Sequence, residues 1–188
     1  MSDNFKHSIK KENSLNLIFK NYKKLIYILV SILLILGISI VILTEINIRK
    51  NIKISEDFNQ AKILLKNNKE SEARDLLKNI INKKNKFYSP ISLNLLIEKK
   101  LEDYESIIVY FDKILNMKKL NQETLDLYRL KKAYHISEKE NENAILNILM
   151  PLIKNNSNFK KQAILFMENY YNSKGEKIKA KEFSKINK

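Results

Sequence analysis

The pattern of hydrophobic and polar positions changes once along this chain of 188 residues. Residues 25–44 read LIYILVSILLILGISIVILT, an uncharged run of 20 residues. A helix rises about 1.5 Å per residue, so this run can cross a hydrocarbon core of about 30 Å. From Asn51 onward the apolar residues instead recur at the spacing of short amphipathic helices. The pattern therefore predicts an all-α protein with a transmembrane helix over residues 25–44 and a helical domain over residues 45–188.

A signal peptide or a core helix fits the apolar run less well than a membrane span does. A cleaved signal peptide has a shorter apolar core followed by a small-residue cleavage site, and here 24 residues precede the run. A core helix of a protein this small would keep a polar face, which the run lacks. The run also contains no GxxxG and no ionisable residue. We therefore expect an anchor rather than a pore or a tight helix dimer.

The basic residues around the run predict its orientation. Residues 1–24 contain six lysines, whereas the 20 residues after the run contain four basic residues. Basic flanks tend to stay on the cytoplasmic side of a membrane. We therefore expect residues 1–24 to form a basic cytoplasmic tail and the larger C-terminal part to lie outside the cytoplasm.

A segment of 14 residues recurs after the run. Residues 102–115, EDYESIIVYFDKIL, align with residues 68–81, 139–152 and 175–188. In each segment a polar turn leads into a helix with a small or apolar sixth residue, and these residues are 34, 37 and 36 positions apart: Ala73, Ile107, Ala144 and Ala180. A two-helix unit of about 34 residues explains this period. The first helix of each two-helix unit is then expected over residues 52–67, 90–101, 122–138 and 158–173. This makes about four degenerate units.

Local signals mark the ends and the buried faces of these helices. Ser89 followed by Pro90 predicts a helix start, and Pro151 falls within a helix that it should kink. Other expected caps are Asn121, Ser157, Asn158 and, at a helix end, Gly175. The apolar positions expected to pack in the first helices are Ala61, Ile63, Leu64, Leu93, Leu96, Ile97, Leu127, Leu130, Tyr134, Ala163, Phe166, Met167 and Tyr170.

The segment over residues 102–115 resembles the second helix of the tetratricopeptide repeat family. That helix typically begins Gly-Asp-Tyr-Glu-Glu-Ala and continues Leu-Glu-Tyr-Phe-Glu-Lys-Ala-Leu. The matching residues are Asp103, Tyr104, Glu105, Tyr110, Phe111, Lys113 and Leu115, with Gly175, Glu176 and Ala180 in the last segment and Glu72 and Ala73 in the first. Ala61 matches the small residue of the first helix, whereas the family's Trp and its Pro between units are missing. The resemblance implies a helical-repeat solenoid that binds protein partners.

The layout of a basic tail, one span and an external repeat domain is similar to one branch of that family, the YfgM-type ancillary subunits of the Sec translocon. Residues 87–93, FYSPISL, resemble the start of a first helix in that branch. The resemblance implies a bacterial inner membrane, a periplasmic C-terminal domain, and partners among the translocon, chaperones or exported polypeptides. An assembly factor of another envelope complex is an alternative with the same layout.

The composition narrows the chemistry available to the chain. It has no cysteine, only two glycines, and two histidines, His7 and His135, that fall in no metal-binding spacing. Glycine-rich phosphate loops and thiolate metal sites are excluded, and we expect no enzyme activity, no cofactor and no metal. Most aromatic residues are expected to pack between helices. The candidates for a partner-binding groove lie on the first helices: Lys62, Lys66, Asn94, Arg129 and Lys132.

The net charge of +14 leaves one further alternative open. Only three of the 35 basic residues are Arg, the residue that recognises bases and phosphates with two parallel hydrogen bonds. The excess of Lys accompanies many Ile and Asn, as an AT-rich coding sequence produces. Nucleic acid is therefore not the expected partner. The alternative is a basic surface for anionic lipid or nucleic acid, whose binding would fall steeply with salt.

The predicted orientation can be tested with a reporter enzyme that is active only outside the cytoplasm. Fused after Lys188, the reporter should be active, because the six lysines of residues 1–24 retain the N-terminus in the cytoplasm. The same reporter fused ahead of residue 1 is the control and should be inactive. A stable but inactive C-terminal fusion would contradict the orientation.

Overall fold

A computed structural model describes residues 2–139, 142–155 and 157–186, with side chains from residue 22 onward. Over these residues the chain is all-helical, with eight α-helices and no strand, which confirms the all-α part of the predicted fold class. The helices are α1 (Ser2–Lys66), α2 (Glu70–Asn82), α3 (Tyr88–Glu98), α4 (Tyr104–Leu115), α5 (Gln122–Ile136), α6 (Glu142–Lys154), α7 (Lys160–Ser173) and α8 (Lys177–Ile186). The chain divides into two compact units, Met1–Ile52 and Lys53–Lys188.

The first unit contains a helical segment that is long and apolar enough to cross a membrane. The most apolar part of this segment is not buried against any described part of the protein. Within it the hydroxyls of Ser31, Ser39 and Thr44 each donate to the carbonyl four residues earlier, at 2.8 to 2.9 Å. These hydroxyls therefore need no partner outside the helix, as hydrocarbon surroundings require. The bounds of the span and its orientation stay predictions.

Helix α1 does not end where the apolar run ends. The sequence pattern predicts a separate helix that begins near Ile52, whereas the structure continues α1 without interruption to Lys66. Residues 45–66 contain neither Gly nor Pro, so nothing interrupts the backbone hydrogen bonds of the helix. Ala61 is buried as predicted, but the predicted packing of Ile63 is wrong, since that side chain is 50% exposed.

In the second unit each helix from α2 to α8 packs on the next one along the chain, and α2 also contacts α4. The buried side chains form two clusters. One joins the end of α1 to α2, α3, α4 and the start of α5, and the other joins the rest of α5 to α6, α7 and α8. Each helix thus hides its apolar stripe mainly against its neighbours in sequence. This order of packing is expected of stacked two-helix units, but the order alone does not define a solenoid. The solenoid therefore stays a prediction.

The helices α2, α4 and α6 bury the same helical stripe, at spacings of three and four residues. The stripe is Ala73, Leu77, Ile80 and Ile81 in α2, Ile107, Phe111 and Ile114 in α4, and Ile145, Leu149, Leu152 and Ile153 in α6. In α4 the side chains of Ile107, Phe111 and Ile114 are each at most 3% exposed.

The register of α6 differs by one residue from the predicted one. The sequence alignment places Ala144 at the buried position, 37 residues after Ile107, whereas the structure buries Ile145 and leaves Ala144 half-buried. Ile145 lies four residues before the fully buried Leu149, so the two share one helix face. The larger apolar side chain therefore decides the register. Pro151 lies inside α6, as predicted.

Side-chain caps begin α4 and α5. The Asp103 carboxylate accepts from the Ser106 N–H at 2.7 Å, and the Asn121 side chain accepts from the Thr124 N–H at 2.8 Å, which confirms the predicted cap at Asn121. Each satisfies a backbone donor that the first turn of a helix leaves without an intrahelical acceptor. Ahead of α7, the Ser157 hydroxyl accepts from the Phe159 N–H at 3.2 Å.

The predicted caps at Ser89 and Asn158 are wrong. Ser89 is buried inside the first turn of α3, where its hydroxyl donates to the Ile80 carbonyl at 2.7 Å. Asn85 caps this helix instead, because its side-chain oxygen accepts from the N–H groups of residues 87 and 88, both at 2.9 Å. The Asn158 amide donates to Glu123 at 3.4 Å. Ser89 therefore joins α2 to α3 rather than starting a helix.

Helices α1, α3 and α7 end in the same left-handed turn. Asn68, Lys100 and Gly175 have φ angles of 58°, 52° and 78°. In each case the N–H of the following residue donates to the carbonyl five residues before it, at 2.9 to 3.0 Å, which is the Schellman arrangement. The predicted helix end at Gly175 is thus confirmed.

Replacing Lys100 with Gly is expected to raise the free energy of unfolding by up to about 1 kcal/mol, because glycine adopts a positive φ without the steric penalty of a side chain. Denaturant unfolding of the full chain in detergent measures the change. Lys99→Gly is the matched control, since Lys99 has a φ of −89°, and it should lower stability by about 0.5–1 kcal/mol. Equal destabilisation by both substitutions would contradict the left-handed turn.

Candidate functional site

Two adjoining clefts open on the helices α3, α5 and α7. The first has a volume of ≈ 560 Å³ and is lined by Asn94, Ile97, Glu98, Phe111, Lys131, Tyr134 and His135. The second has a volume of ≈ 500 Å³ and is lined by Tyr134, Ser137, Glu138, Phe166, Asn169, Tyr170, Ser173 and Lys174. Tyr134 lines both clefts. We refer to the two clefts together as the first-helix groove.

Tyr134 separates the two clefts and is 57% exposed. Its ring meets the ring of Phe166 edge-on, with 4.5 Å between centroids, and Phe166 in turn stacks with Tyr170 at 6.5 Å. Tyr134 thus packs against α7 as predicted, but its predicted burial is wrong. Leu130 and Ala133 complete the buried face of α5, so Tyr134 falls at the margin of that face. An exposed, amphipathic ring on a packed aromatic base is a common anchor in binding surfaces.

Lys131 places a positive charge inside the first cleft. Its ammonium group donates to the Asn94 side-chain oxygen at 2.9 Å and lies 5.2 Å from the centroid of the Tyr128 ring. Burial holds the pKa of Lys131 below its ordinary value. Among the described residues no carboxylate forms an ion pair with it. A partner's carbonyl or carboxylate oxygen could therefore bind here without displacing a salt bridge.

Tyr128 and Pro90 hold the two sides of the first cleft together. The Tyr128 hydroxyl donates to the Pro90 carbonyl of α3 at 2.6 Å. Tyr128 is 2% exposed, and burial raises the pKa of its hydroxyl well above the ordinary range. The hydrogen bond therefore links α5 to α3 with a neutral donor.

His135 packs against aromatic rings at the edge of the first cleft. Its ring stacks on Tyr104 with 4.9 Å between centroids and lies 5.8 Å from the centroid of Phe111. Its Nε2 atom is buried and forms no hydrogen bond with a described residue. The part of the chain that the structure describes contains no group of three or more His, Asp or Glu side chains that could hold a metal. The side chain of His7 lies outside that part.

The structure does not bring the five predicted groove residues together. Lys62 and Lys66 are exposed on the last turns of α1, and Asn94 lines the first cleft. Arg129 donates to Asp126 on its own helix at 2.8 Å, and Lys132 pairs with Asp112 of α4. Arg129 and Lys132 are thus engaged in ion pairs, and neither lines a described cleft.

The sequence did contain a signal for the residues that line the first cleft. Asn94, Ile97 and Glu98 each lie 37 positions before a lining residue of α5: Lys131, Tyr134 and His135. The same interval separates the predicted second and third repeat segments. Applied to Asn94, the predicted groove residue of α3, this interval would have indicated Lys131 in place of Arg129 and Lys132.

Comparison with protein-family models, with curated proteins and with solved structures finds no match to this chain. The resemblance to tetratricopeptide proteins therefore stays a prediction from its residues.

The exposure of Tyr134 predicts a small effect on stability when its ring is removed. Tyr134→Ala should lower the free energy of unfolding by no more than about 1.5 kcal/mol, the range of a single aromatic pair. Phe111→Ala, at a side chain that is 1% exposed, should lower it by about 3–5 kcal/mol. Denaturant unfolding compares the two variants. Similar losses for both would mean that Tyr134 belongs to the core.

Proposed function

We propose that this protein is a membrane-anchored helical scaffold that binds an extended segment of a protein partner in the first-helix groove. The observation that supports this most directly is the exposed ring of Tyr134 between two clefts of ≈ 560 and ≈ 500 Å³. An aromatic side chain at the centre of a concave surface is the typical position of a binding hot spot. Clefts on both sides of it leave room for neighbouring side chains of one bound segment.

The polar groups of the groove fit a polypeptide ligand. Asn94 and Lys131 in the first cleft, and Asn169 and Lys174 in the second, are donors at the cleft walls. An extended peptide carries carbonyl oxygens and side chains on alternating sides, so it can use both donors and apolar surface. The aromatic rings of Tyr134, Phe166 and Tyr170 supply that surface.

The proposal includes a tetratricopeptide-like arrangement of the second unit. The supporting observations are the recurring buried stripe of α2, α4 and α6, and the repeated left-handed turn after α1, α3 and α7. In such arrays the first helices line the binding surface, and α3, α5 and α7 are the helices that carry the groove.

For the partner we propose a component of protein export: the Sec translocon, a chaperone or an exported polypeptide outside the cytoplasm of a bacterium. The support for this choice is the layout of the sequence, with a basic tail, one apolar helix and a repeat-like domain. Another envelope assembly machine is the alternative partner, and the identity of the bound protein separates the two.

The proposal can be tested by photocrosslinking in intact membranes. A photoreactive amino acid replaces Tyr134 in the full chain, and the crosslinked protein and the crosslinked segment are identified by mass spectrometry. The control position is Val109, which is 52% exposed on α4 and lines neither cleft. We expect a defined segment of an export component at position 134 and none at position 109.

A binding measurement with the identified segment completes the test. Tyr134→Ala should weaken its affinity at least tenfold, about 1.4 kcal/mol, while Val109→Ala leaves it unchanged. Equal crosslinking at both positions, or equal affinities of both variants, would contradict a binding site in the groove. A specific partner unrelated to export would contradict the export assignment alone.

A further inference from the structure

The second unit carries its charges unevenly between two sets of helix connections. The connections α2–α3, α4–α5 and α6–α7, over residues 83–87, 116–121 and 155–159, contain five lysines and no acidic residue. The connections α1–α2, α3–α4, α5–α6 and α7–α8, over residues 67–69, 99–103, 137–141 and 174–176, contain five lysines and five acidic residues. We name the first set the basic edge. Since lysine is equally frequent in both sets, a lysine-rich composition does not explain the difference.

The connections of the basic edge lie side by side. Lys83 and Lys84 of the first connection and Lys118 and Lys119 of the second line one cleft of ≈ 390 Å³. The third connection reaches the start of α5, where Asn158 donates to Glu123 at 3.4 Å. The lysines of the first two connections therefore form one surface.

Most of this charge is not neutralised within the protein. Lys83 pairs with Asp57 at 2.8 Å, and this contact lowers the pKa of the Asp57 carboxyl. Lys84, Lys118 and Lys119 form no ion pair with any residue that the structure describes. The surface therefore carries an excess of positive charge that an external anion could balance.

The helix dipole does not account for the basic edge. Lysines after α2 and α4 do stabilise the negative ends of those helices. Lys160 and Lys161, however, lie next to the third connection in the first turn of α7, where a positive charge is unfavourable. The first turns of α3 and α7 contain no acidic residue, whereas that of α5 contains Glu123. If the helix dipoles alone determined these charges, acidic residues would be expected in the first turns of α3 and α7.

The basic edge adjoins the point where the chain enters the second unit. Lys83 contacts Asp57, and the Tyr88 hydroxyl donates to Ser55 at 2.7 Å. Only eight residues separate Thr44, the end of the apolar run, from Lys53, the first residue of the unit. Eight residues reach roughly 12 Å as a helix and less than about 30 Å when fully extended. The start of the second unit, near which Lys83 lies, is therefore held within that distance of the end of the apolar run.

We propose that the basic edge binds the anionic headgroups of the bilayer in which the protein is anchored. Lysine is a compact point charge that suits mobile headgroups, and the basic edge contains no Arg, which nucleic-acid recognition favours. Each lysine near an anionic surface strengthens binding about fivefold, so three lysines together contribute roughly 100-fold. This docking does not depend on the first-helix groove.

The test uses the full chain in lipid nanodiscs. Because the chain has no cysteine, a single fluorophore can be placed on the basic edge through Asn116→Cys, or on the opposite set of connections through Asn67→Cys. Headgroup-labelled nitroxide lipids quench a fluorophore that lies at the membrane surface. Quenching is compared in phosphatidylcholine discs and in discs that contain about 30% phosphatidylglycerol, at low and at high salt.

We expect phosphatidylglycerol to increase quenching at position 116 but not at position 67, and high salt to remove the increase. The triple variant Lys84→Gln, Lys118→Gln, Lys119→Gln should lower the ratio of docked to undocked protein about 100-fold. The matched control is Lys66→Gln, Lys100→Gln, Lys177→Gln, which removes the same charge from the other set of connections and the helix ends beside them and should leave quenching unchanged. Lys84 and Lys100 have equivalent φ angles of 51° and 52°.

Several outcomes would overturn the proposal. The first is quenching at position 116 that does not depend on phosphatidylglycerol. The others are equal quenching at positions 116 and 67, and equal effects of the two triple variants on quenching. A single-stranded oligonucleotide that displaces the fluorophore from anionic discs at physiological salt would identify nucleic acid as the preferred ligand and overturn it as well. Circular dichroism of both triple variants verifies that they fold.

Discussion

The second unit depends on the burial of apolar stripes between consecutive helices. A helix such as α4 carries Ile107, Phe111 and Ile114 on one face, and each is at most 3% exposed in the folded chain. Burial of one such side chain contributes about 1.5–3 kcal/mol, but only if a neighbouring helix covers it. Because α4 is covered by α3 and α5, and these in turn by their own neighbours, no helix of this unit would be stable by itself.

Polar contacts then set how these helices meet. The buried Ser89 hydroxyl joins α3 to the Ile80 carbonyl of α2, and the Tyr128 hydroxyl joins α5 to the Pro90 carbonyl of α3. Lys131 adds a hydrogen bond from α5 to Asn94. Buried polar groups are costly when unpaired, so these bonds favour one relative position of α2, α3 and α5. That position determines the width of the first cleft.

The stacking leaves two kinds of surface for binding. The sides of α3, α5 and α7 form the first-helix groove, where Tyr134 provides an aromatic centre. The ends of the helices form the two sets of connections, one basic and one rich in carboxylates. The groove and the basic edge share no residue. The partner segment and the membrane surface that we propose as ligands would thus be bound by different parts of the unit.

Local interactions determined what the sequence predicted well. The apolar run, the absence of strands over the described residues, the start of a helix at residue 122, and the caps at Asn121 and Gly175 all follow from residues close together in the chain. Of the candidate groove residues, Asn94 lies in a cleft, and its choice needed only the location of the first helices. The role of Lys132 depended on which acidic residue it would reach, and that residue, Asp112, lies on another helix.

The tertiary structure decided the features that depend on how the helices pack against one another. It buried Ile145 instead of Ala144, turned Ser89 into a link between two helices, and left Tyr134 exposed at the margin of α5. It also brought lysines from separate connections to one surface. The spacing of apolar residues in a helix predicts that one face will be buried. The neighbouring helices decide which residues lie at the edges of that face. Residues at those edges form the groove, which is why the sequence by itself predicted the helices and not the site.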